Sequence, residues 1–277
     1  MSALVSAVTP IEVTSVVEQP TAGSTIAVTS GTTFAITDPE TAEEPVTINT
    51  STDDTVNLAL GTESTDVIIS GTGTGDVVIG IAESGGNTLG AGGSALQVTD
   101  DFEGSVTANL TGAIISDTKV DTSIESPDGG TIASNAPSDV GQLDYYVKGG
   151  AGDDQLQGSQ GVDFIRGGAG DDTINAAGGD DIIRFGSGDD TATLGDGDDT
   201  VYFTVDQLQG VSTNTITDFD SSGNDKIQID SALEGRVDIS GQGTDTIIIS
   251  LSGSETGTTT VESTGGETID EDDIEFI

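Results

Sequence analysis

Residues 149–202 read GGAGDDQLQ, GSQGVDFIR, GGAGDDTIN, AAGGDDIIR, FGSGDDTAT, LGDGDDTVY, six blocks of nine with no gap. Each block has aspartate at its sixth position: Asp154, Asp163, Asp172, Asp181, Asp190 and Asp199. Each has an apolar residue at its eighth: Leu156, Ile165, Ile174, Ile183, Ala192 and Val201. A glycine-rich hexapeptide turns tightly, because glycine tolerates positive φ. The three residues after it form a short strand whose central side chain points inward. Nine residues then make half a coil, and two blocks make one turn of a parallel β-roll. Loops stack on two sides, odd blocks on one and even blocks on the other. A disordered Gly/Asp linker has no need of an aspartate every ninth residue with an apolar residue two further on.

The blocks follow the pattern G-G-x-G-x-D-x-U-x. On these residues the chain resembles the RTX, or hemolysin-type, family of repeat-containing calcium-binding proteins exported by bacteria. The resemblance covers about a fifth of the chain. Stacking sets a carboxylate of one loop against the next loop on the same side, with backbone carbonyls between them. Calcium takes roughly six to eight oxygen ligands, and such a stack supplies them. The expected pairs are Asp154 with Asp172, Asp172 with Asp190, Asp163 with Asp181, and Asp181 with Asp199, giving about four interior sites. The carbonyls of Gly149, Gly152, Gly158, Gly161, Gly167 and Gly170 stand where they can ligate. Some blocks depart from the pattern at Ser159, Ala176, Ala177, Phe185 and Leu194, which is expected to weaken individual turns. Ala192 is expected to underfill one core layer.

The 277 residues include 49 acids and 6 bases, a formal net charge of −43. That balance excludes nucleic acid, because phosphate contacts need Lys and Arg. Anionic membranes are poor partners for the same reason, and cations are the natural ones. Forty glycines, seven Phe, three Tyr and no Trp point to stacked short strands around a thin core. The self-repulsion opposes compaction unless counter-ions neutralise it. There is no cysteine, so a metal is the available staple. There is no histidine either, which removes a zinc-protease helix, a Ser-His-Asp triad and a Cys-His pair. No run of apolar residues is long enough for a transmembrane helix. The first twenty residues lack the basic and apolar regions of a secretory signal peptide. The resemblance implies export through a type I channel, with an uncleaved signal at the C-terminus.

Four segments are expected. Residues 1–50 carry strand-like runs at Ile11 to Val17, Thr25 to Val28 and Phe34 to Thr37. They are read as strands capping the solenoid or a tail, or as a strand that pairs with a neighbouring molecule. Residues 51–140 are read as a degenerate β-solenoid followed by a loop over 116–140, with Asp54, Asp66, Asp76 and Asn87 marking the coils. Asp66 and Asp76 are read as turn residues in preference to calcium ligands. Residues 141–204 hold the roll, with Tyr145 and Tyr146 expected to cap its end. Residues 205–277 resemble the closing segment of RTX rolls, through Ile216-Thr-Asp-Phe219 and Asp225-Lys-Ile227. Asp218, Asp220 and Asp225 are a candidate terminal calcium site. Two strands, Arg236 to Ser240 and Thr246 to Leu251, precede an acidic segment with an apolar tip at Glu267–Ile277.

The fold expected is all-β, a parallel β-roll or β-helix solenoid with a strand-rich N-terminal segment and a C-terminal β cap. The function expected is non-enzymatic. A secreted calcium-binding protein would fold on extracellular calcium and assemble with copies of itself into a surface layer, fibre or biofilm matrix. The alternatives are an RTX adhesin or the calcium-binding module of a carbohydrate-active enzyme. For enzyme chemistry the available cations are Lys119, Lys148, Arg166, Arg184, Lys226 and Arg236. Arg166 and Arg184 share the ninth position of blocks two and four and should stack. Such a pair binds a uronate or, more commonly, neutralises neighbouring acids.

Overall fold

A computed structural model describes residues 15–17, 25–28, 33–36, 46–60, 66–81, 94–99, 102–110, 120, 142–220, 224–251, 257–264, 266 and 268–277. The run at Asn87 and nearly all of 116–140 lie outside these residues. So does the first part of the run that starts at Ile11.

Strands number from β1 to β22 along the chain and alternate between two sheets. One sheet takes β1 (Ser15–Val17), β3 (Thr33–Ile36), β5 (Val56–Leu60), β7 (Val77–Ile81), β9 (Val106–Asn109), β11 (Gln155–Gln157), β13 (Thr173–Asn175), β15 (Thr191–Thr193) and β17 (Val211–Ile216) in that order. The other takes β2 (Thr25–Val28), β4 (Val46–Thr50), β6 (Val67–Ser70), β8 (Ser94–Val98), β10 (Tyr145–Lys148), β12 (Asp163–Ala169), β14 (Ile182–Ser187), β16 (Thr200–Phe203), β18 (Lys226–Ile229) and β22 (Ile274–Phe276). All of these pair in parallel, as a coil returning to the same sheet requires. The first sheet ends differently. There β21 (Thr258–Ser263) lies parallel on β17, and β20 (Thr246–Leu251) and β19 (Val237–Ser240) add antiparallel beyond it. The architecture is the expected all-β parallel solenoid, with a C-terminal β cap.

Coil length varies along the axis. Cross-strand bonds link residues 21 apart at Asn49 and Ser70, and 29 apart at Asp66 and Ala95. The spacing tightens to 18 within the nonapeptide blocks. It loosens to 24 at Thr193 and Thr217, and to 47 at Gln228 and Glu275. The last step is long because β19, β20 and β21, which belong to the first sheet, lie within it.

The eighth-position residues Leu156, Ile165, Ile174, Ile183, Ala192 and Val201 are all buried in one core that runs from Val28 to Ile269. Phe185 and Leu194, which depart from the glycine pattern, have a place in the core. Both belong to this core and are fully buried. Phe185 meets Phe203 with ring centroids 6.2 Å apart. The tyrosines are not an end cap either, since β10 is sandwiched between β8 and β12. Tyr146 packs on Phe164 in a second, smaller cluster with Ala95, Val120, Leu143, Ile182 and Tyr202.

Candidate metal centre

The sixth-position aspartates fall into two columns by register. In one, Asp154, Asp172 and Asp190 stack at successive coils. In the other, Asp163, Asp181, Asp199 and Asp225 do so. All seven are buried. A backbone ladder holds them. The N–H of Asp154 donates to Oδ1 of Asp172 at 2.9 Å, and that of Asp172 donates to Asp190 Oδ1 at 2.9 Å. On the opposite side Asp163 donates to Asp181, and Asp181 to Asp199, each at 2.8 Å. One oxygen of each carboxylate is thus spent on pinning consecutive loops together.

The second oxygen separates the interior of the stack from its ends. Oδ2 of Asp172, Asp181, Asp190 and Asp199 is buried and has no hydrogen-bond partner. By contrast, Oδ2 of Asp154 accepts from Gly150 N–H at 2.7 Å, and Oδ2 of Asp163 from Ser159 N–H at 2.6 Å. A buried carboxylate oxygen without a donor is costly. Burial pushes Asp172 and Asp181 up to about 9, reinforced by the neighbouring aspartates of their own columns. Burial also raises Asp154, Asp163 and Asp199 to about 7 and Asp190 to about 6. Four orphaned hard-oxygen donors between stacked loops suit calcium by donor type. Among the described residues no three acidic side chains converge into a cluster. The remaining ligands would therefore be backbone carbonyls.

Glycine makes the close stacking possible. Gly170 and Gly188 occupy the same loop position in successive coils with φ of +114° and +130°. A β-carbon on Gly188 would lie 2.0 Å from the carbonyl oxygen of Gly170. Likewise a β-carbon on Gly170 would crowd the carbonyl of Gly152, and one on Gly149 or Gly167 would strike the carboxylate of Asp154 or Asp172. A side chain on Gly158 would meet Asp163 Oδ2. The carbonyl of Gly161 faces Gly179 in the same way.

The candidate terminal set is arranged differently. Asp218 accepts Leu194 N–H at 2.8 Å and Gly195 N–H at 3.0 Å, so its carboxylate closes the loop of block six. Asp225 accepts from Asp199 N–H at 3.0 Å and from Asp220 N–H at 2.8 Å. Asp225 continues the column beyond the last block, and Asn214 ends the other one by accepting Asp190 N–H at 3.1 Å.

The sequence reading missed the fifth-position acids. Asp153 accepts the N–H of Asp171, Asp171 that of Asp189, and Asp180 that of Asp198, from the coil above. These exposed side chains brace the loops in the opposite direction to the buried column. The doublet Asp-Asp in five of the six blocks is the signal that marks them.

Upstream, the buried column changes chemistry. The positions in register with Asp154 are Val106, Val77 and Val56. All three are fully buried. On the other side Asp163 stacks on Tyr145, which in turn stacks on Ser94. Asp66 and Asp76 each stand one residue before a strand, and Asp66 Oδ1 accepts Ala95 N–H at 2.8 Å, a structural turn role.

The RTX calcium-binding nonapeptide repeat matches residues 148–183 and 186–204, in four copies. A search of curated proteins finds no significant match. Residues 148–204 are therefore RTX repeats, and such repeats bind calcium. Among the described residues no helix is long and apolar enough to cross a membrane.

Proposed function

We propose that this protein is exported, folds when it meets extracellular calcium, and assembles with copies of itself into an extracellular layer, fibre or matrix. The observation that carries the reading is the set of four partnerless carboxylate oxygens at Asp172, Asp181, Asp190 and Asp199, buried in the middle of a continuous two-sheet solenoid. Asp154, Asp163, Asp172, Asp181, Asp190 and Asp199, with carbonyls of Gly149, Gly152, Gly158, Gly161, Gly167 and Gly170, would hold the ions; Asp218, Asp220 and Asp225 would contribute at the closing end. Bound calcium supplies positive charge that removes carboxylate repulsion. At ~100 times the dissociation constant, one site adds about 2.7 kcal/mol of stability. Extracellular modules bind in the range of roughly 10⁻⁴ to 10⁻³ M. Inside the cell the chain would stay extended enough for a type I channel.

Assembly draws support from the sheet ends. Among the described residues β1 and β2 end the two sheets at one pole, and β19 and β22 end them at the other. Terminal strands carry backbone donors and acceptors that a second copy can pair. Electron microscopy of the purified chain, with calcium and with chelator, tests the proposal. Ordered filaments or sheets only with calcium support it. A monodisperse monomer at high calcium and high protein concentration sinks the assembly part and leaves a monomeric calcium-binding module.

A further inference from the structure

The outer face of the second sheet carries half of the chain's basic residues in one column. Lys148, Arg166 and Arg184 are register partners on β10, β12 and β14. Each is at most 8% exposed. In a chain of net charge −43 this concentration of buried positive charge is unusual. Lys148 Nζ donates to Val98 O at 2.8 Å and Arg166 Nη1 to the Tyr146 hydroxyl at 3.3 Å. Residues 204–207, after β16, fold back over Arg184. Arg184 reaches Asp206 Oδ2 at 2.5 Å, Thr204 Oγ1 at 2.6 Å and Gln207 Oε1 at 3.3 Å. Burial, then the charge of Arg166, lowers the pKa of Arg184. Burial would raise Asp206, but Arg184 and the Thr204 hydroxyl hold it below the usual carboxylate range.

Lys148, Arg166, Arg184 and Asp206 border a cavity of about 260 Å³ that also touches Gly168, Gly186, Ser187 and Phe185. Gln207 lines it and is 6% exposed. Its Oε1 accepts from both Thr204 N–H and Arg184, which fixes the amide orientation. Its Nε2 is left buried with no partner. A buried unsatisfied donor beside three cations calls for an anionic acceptor.

We propose that this cavity is a binding site for a hydroxylated carboxylate of about one sugar-acid residue. Arg166, Arg184 and Lys148 recognise the carboxylate. Gln207 Nε2 donates to it or to a ring oxygen. Asp206 and Ser187 meet the hydroxyls. An isolated oxyanion needs only the cations, whereas a polyhydroxy acid also uses the acceptor at Asp206, whose side chain is 61% exposed. The site borders the odd-block loops of the calcium column through Gly168, Gly186 and Ser187, so its test is made at saturating calcium.

The test is isothermal titration of the full chain, loaded with calcium, with sodium glucuronate and with glucose as the uncharged control. Glucuronate is expected to bind once per chain and glucose not to bind. Gln207→Leu and Arg166→Met should each weaken glucuronate by about tenfold or more, with the calcium-induced strand signal in circular dichroism unchanged. Gln207→Leu keeps the test valid if Arg166→Met fails to fold. Galacturonate as monomer and as trimer, compared with each other, separates the two sources of such a group. Binding as tight as the monomer assigns the site to a polyuronate, and loss of binding assigns it to the free acid. Absence of glucuronate binding, or equal affinity in wild type and Gln207→Leu, overturns the proposal. So does a result in which Gln207→Leu abolishes calcium-dependent assembly while glucuronate never binds, because the cavity then takes an acidic side chain of a second copy.

Discussion

Asp190 Oδ1 accepts the backbone N–H of Asp172 from the next coil at 2.9 Å, while Oδ2 of the same carboxylate has no partner. One oxygen builds the stack and the other is left for a cation. Asparagine at such a site keeps the acceptor and removes the anionic ligand. Asp172→Asn and Asp181→Asn are each expected to lower the calcium stoichiometry seen by titration and to reduce calcium-dependent stabilisation by about 2.7 kcal/mol at ~100 times the dissociation constant. The same variants should melt at higher temperature than wild type at neutral pH without calcium, because asparagine needs no proton taken up on folding whereas the aspartate, raised to about 9 in the folded chain, does. Unchanged stoichiometry in both would remove these carboxylates from the sites.

Proton binding gives a second reading of the same columns. The folded-state values of about 9 for Asp172 and Asp181, and about 7 for Asp154, Asp163 and Asp199, all lie above the unfolded carboxylate value. Burial is the first cause in each. The folded chain therefore holds protons that the unfolded chain releases, and stability falls as pH rises. For calcium-free protein the contribution is complete below about pH 4 and is lost progressively up to about 9. Thermal melts of calcium-free protein across this window should show the midpoint dropping with pH. The double variant Asp172→Asn with Asp181→Asn should flatten the profile. A midpoint that climbs with pH would refute the assignment.

The roll at 149–202 was legible because its coils are short and equal, so period, core position and carboxylate pairing coincide. The upstream coils share its registers but hide them, since their spacing runs from 21 to 48 residues. Residues with no place in the nonapeptide pattern were harder. Phe185 and Leu194 read as broken turns because they replace glycine, yet both belong to the buried core. The cationic cavity had a sequence trace. Blocks two and four carry Phe164 and Ile182 at the seventh position and Arg166 and Arg184 at the ninth, and block six ends on Tyr202, whereas odd blocks carry Gln155, Thr173 and Thr191 at the seventh. One outer face is thus covered and the other is wet. What covers it, including Gln207, comes from residues beyond the repeat and could not be placed by period.

The replacement of aspartate by valine at positions 56, 77 and 106 divides the solenoid energetically. Those coils bury apolar side chains where the roll buries charge, so they carry no electrostatic cost without calcium. Hydrogen exchange with chelator should therefore protect the amides of Val56, Val77 and Val106 more than those of Asp172, Asp181 and Asp190. With calcium the protection of the two parts should converge. Equal loss of protection throughout would mean that the solenoid opens as one unit.

Ala177 supplies a test of the turns themselves. It adopts φ of +82°, a left-handed conformation that a β-carbon resists. Its carbonyl also lies 2.3 Å from where a β-carbon on Gly195 would stand, so the backbone there cannot relax far. Ala177→Gly should relieve the strain and stabilise the calcium-loaded roll by about 0.5–1 kcal/mol, the local penalty less the added freedom of the unfolded chain. The reverse change at another positive-φ turn position, Gly188→Ala, meets both a φ of +130° and the carbonyl of Gly170. It should destabilise by about 1–3 kcal/mol. Gly235→Ala is the control, because Gly235 has φ of +73° but nothing within 4 Å of its would-be β-carbon. Its cost should be the conformational one alone. Urea midpoints at saturating calcium rank the three variants. An order other than Ala177→Gly above wild type, then Gly235→Ala, then Gly188→Ala would show that turn geometry does not limit stability in the roll.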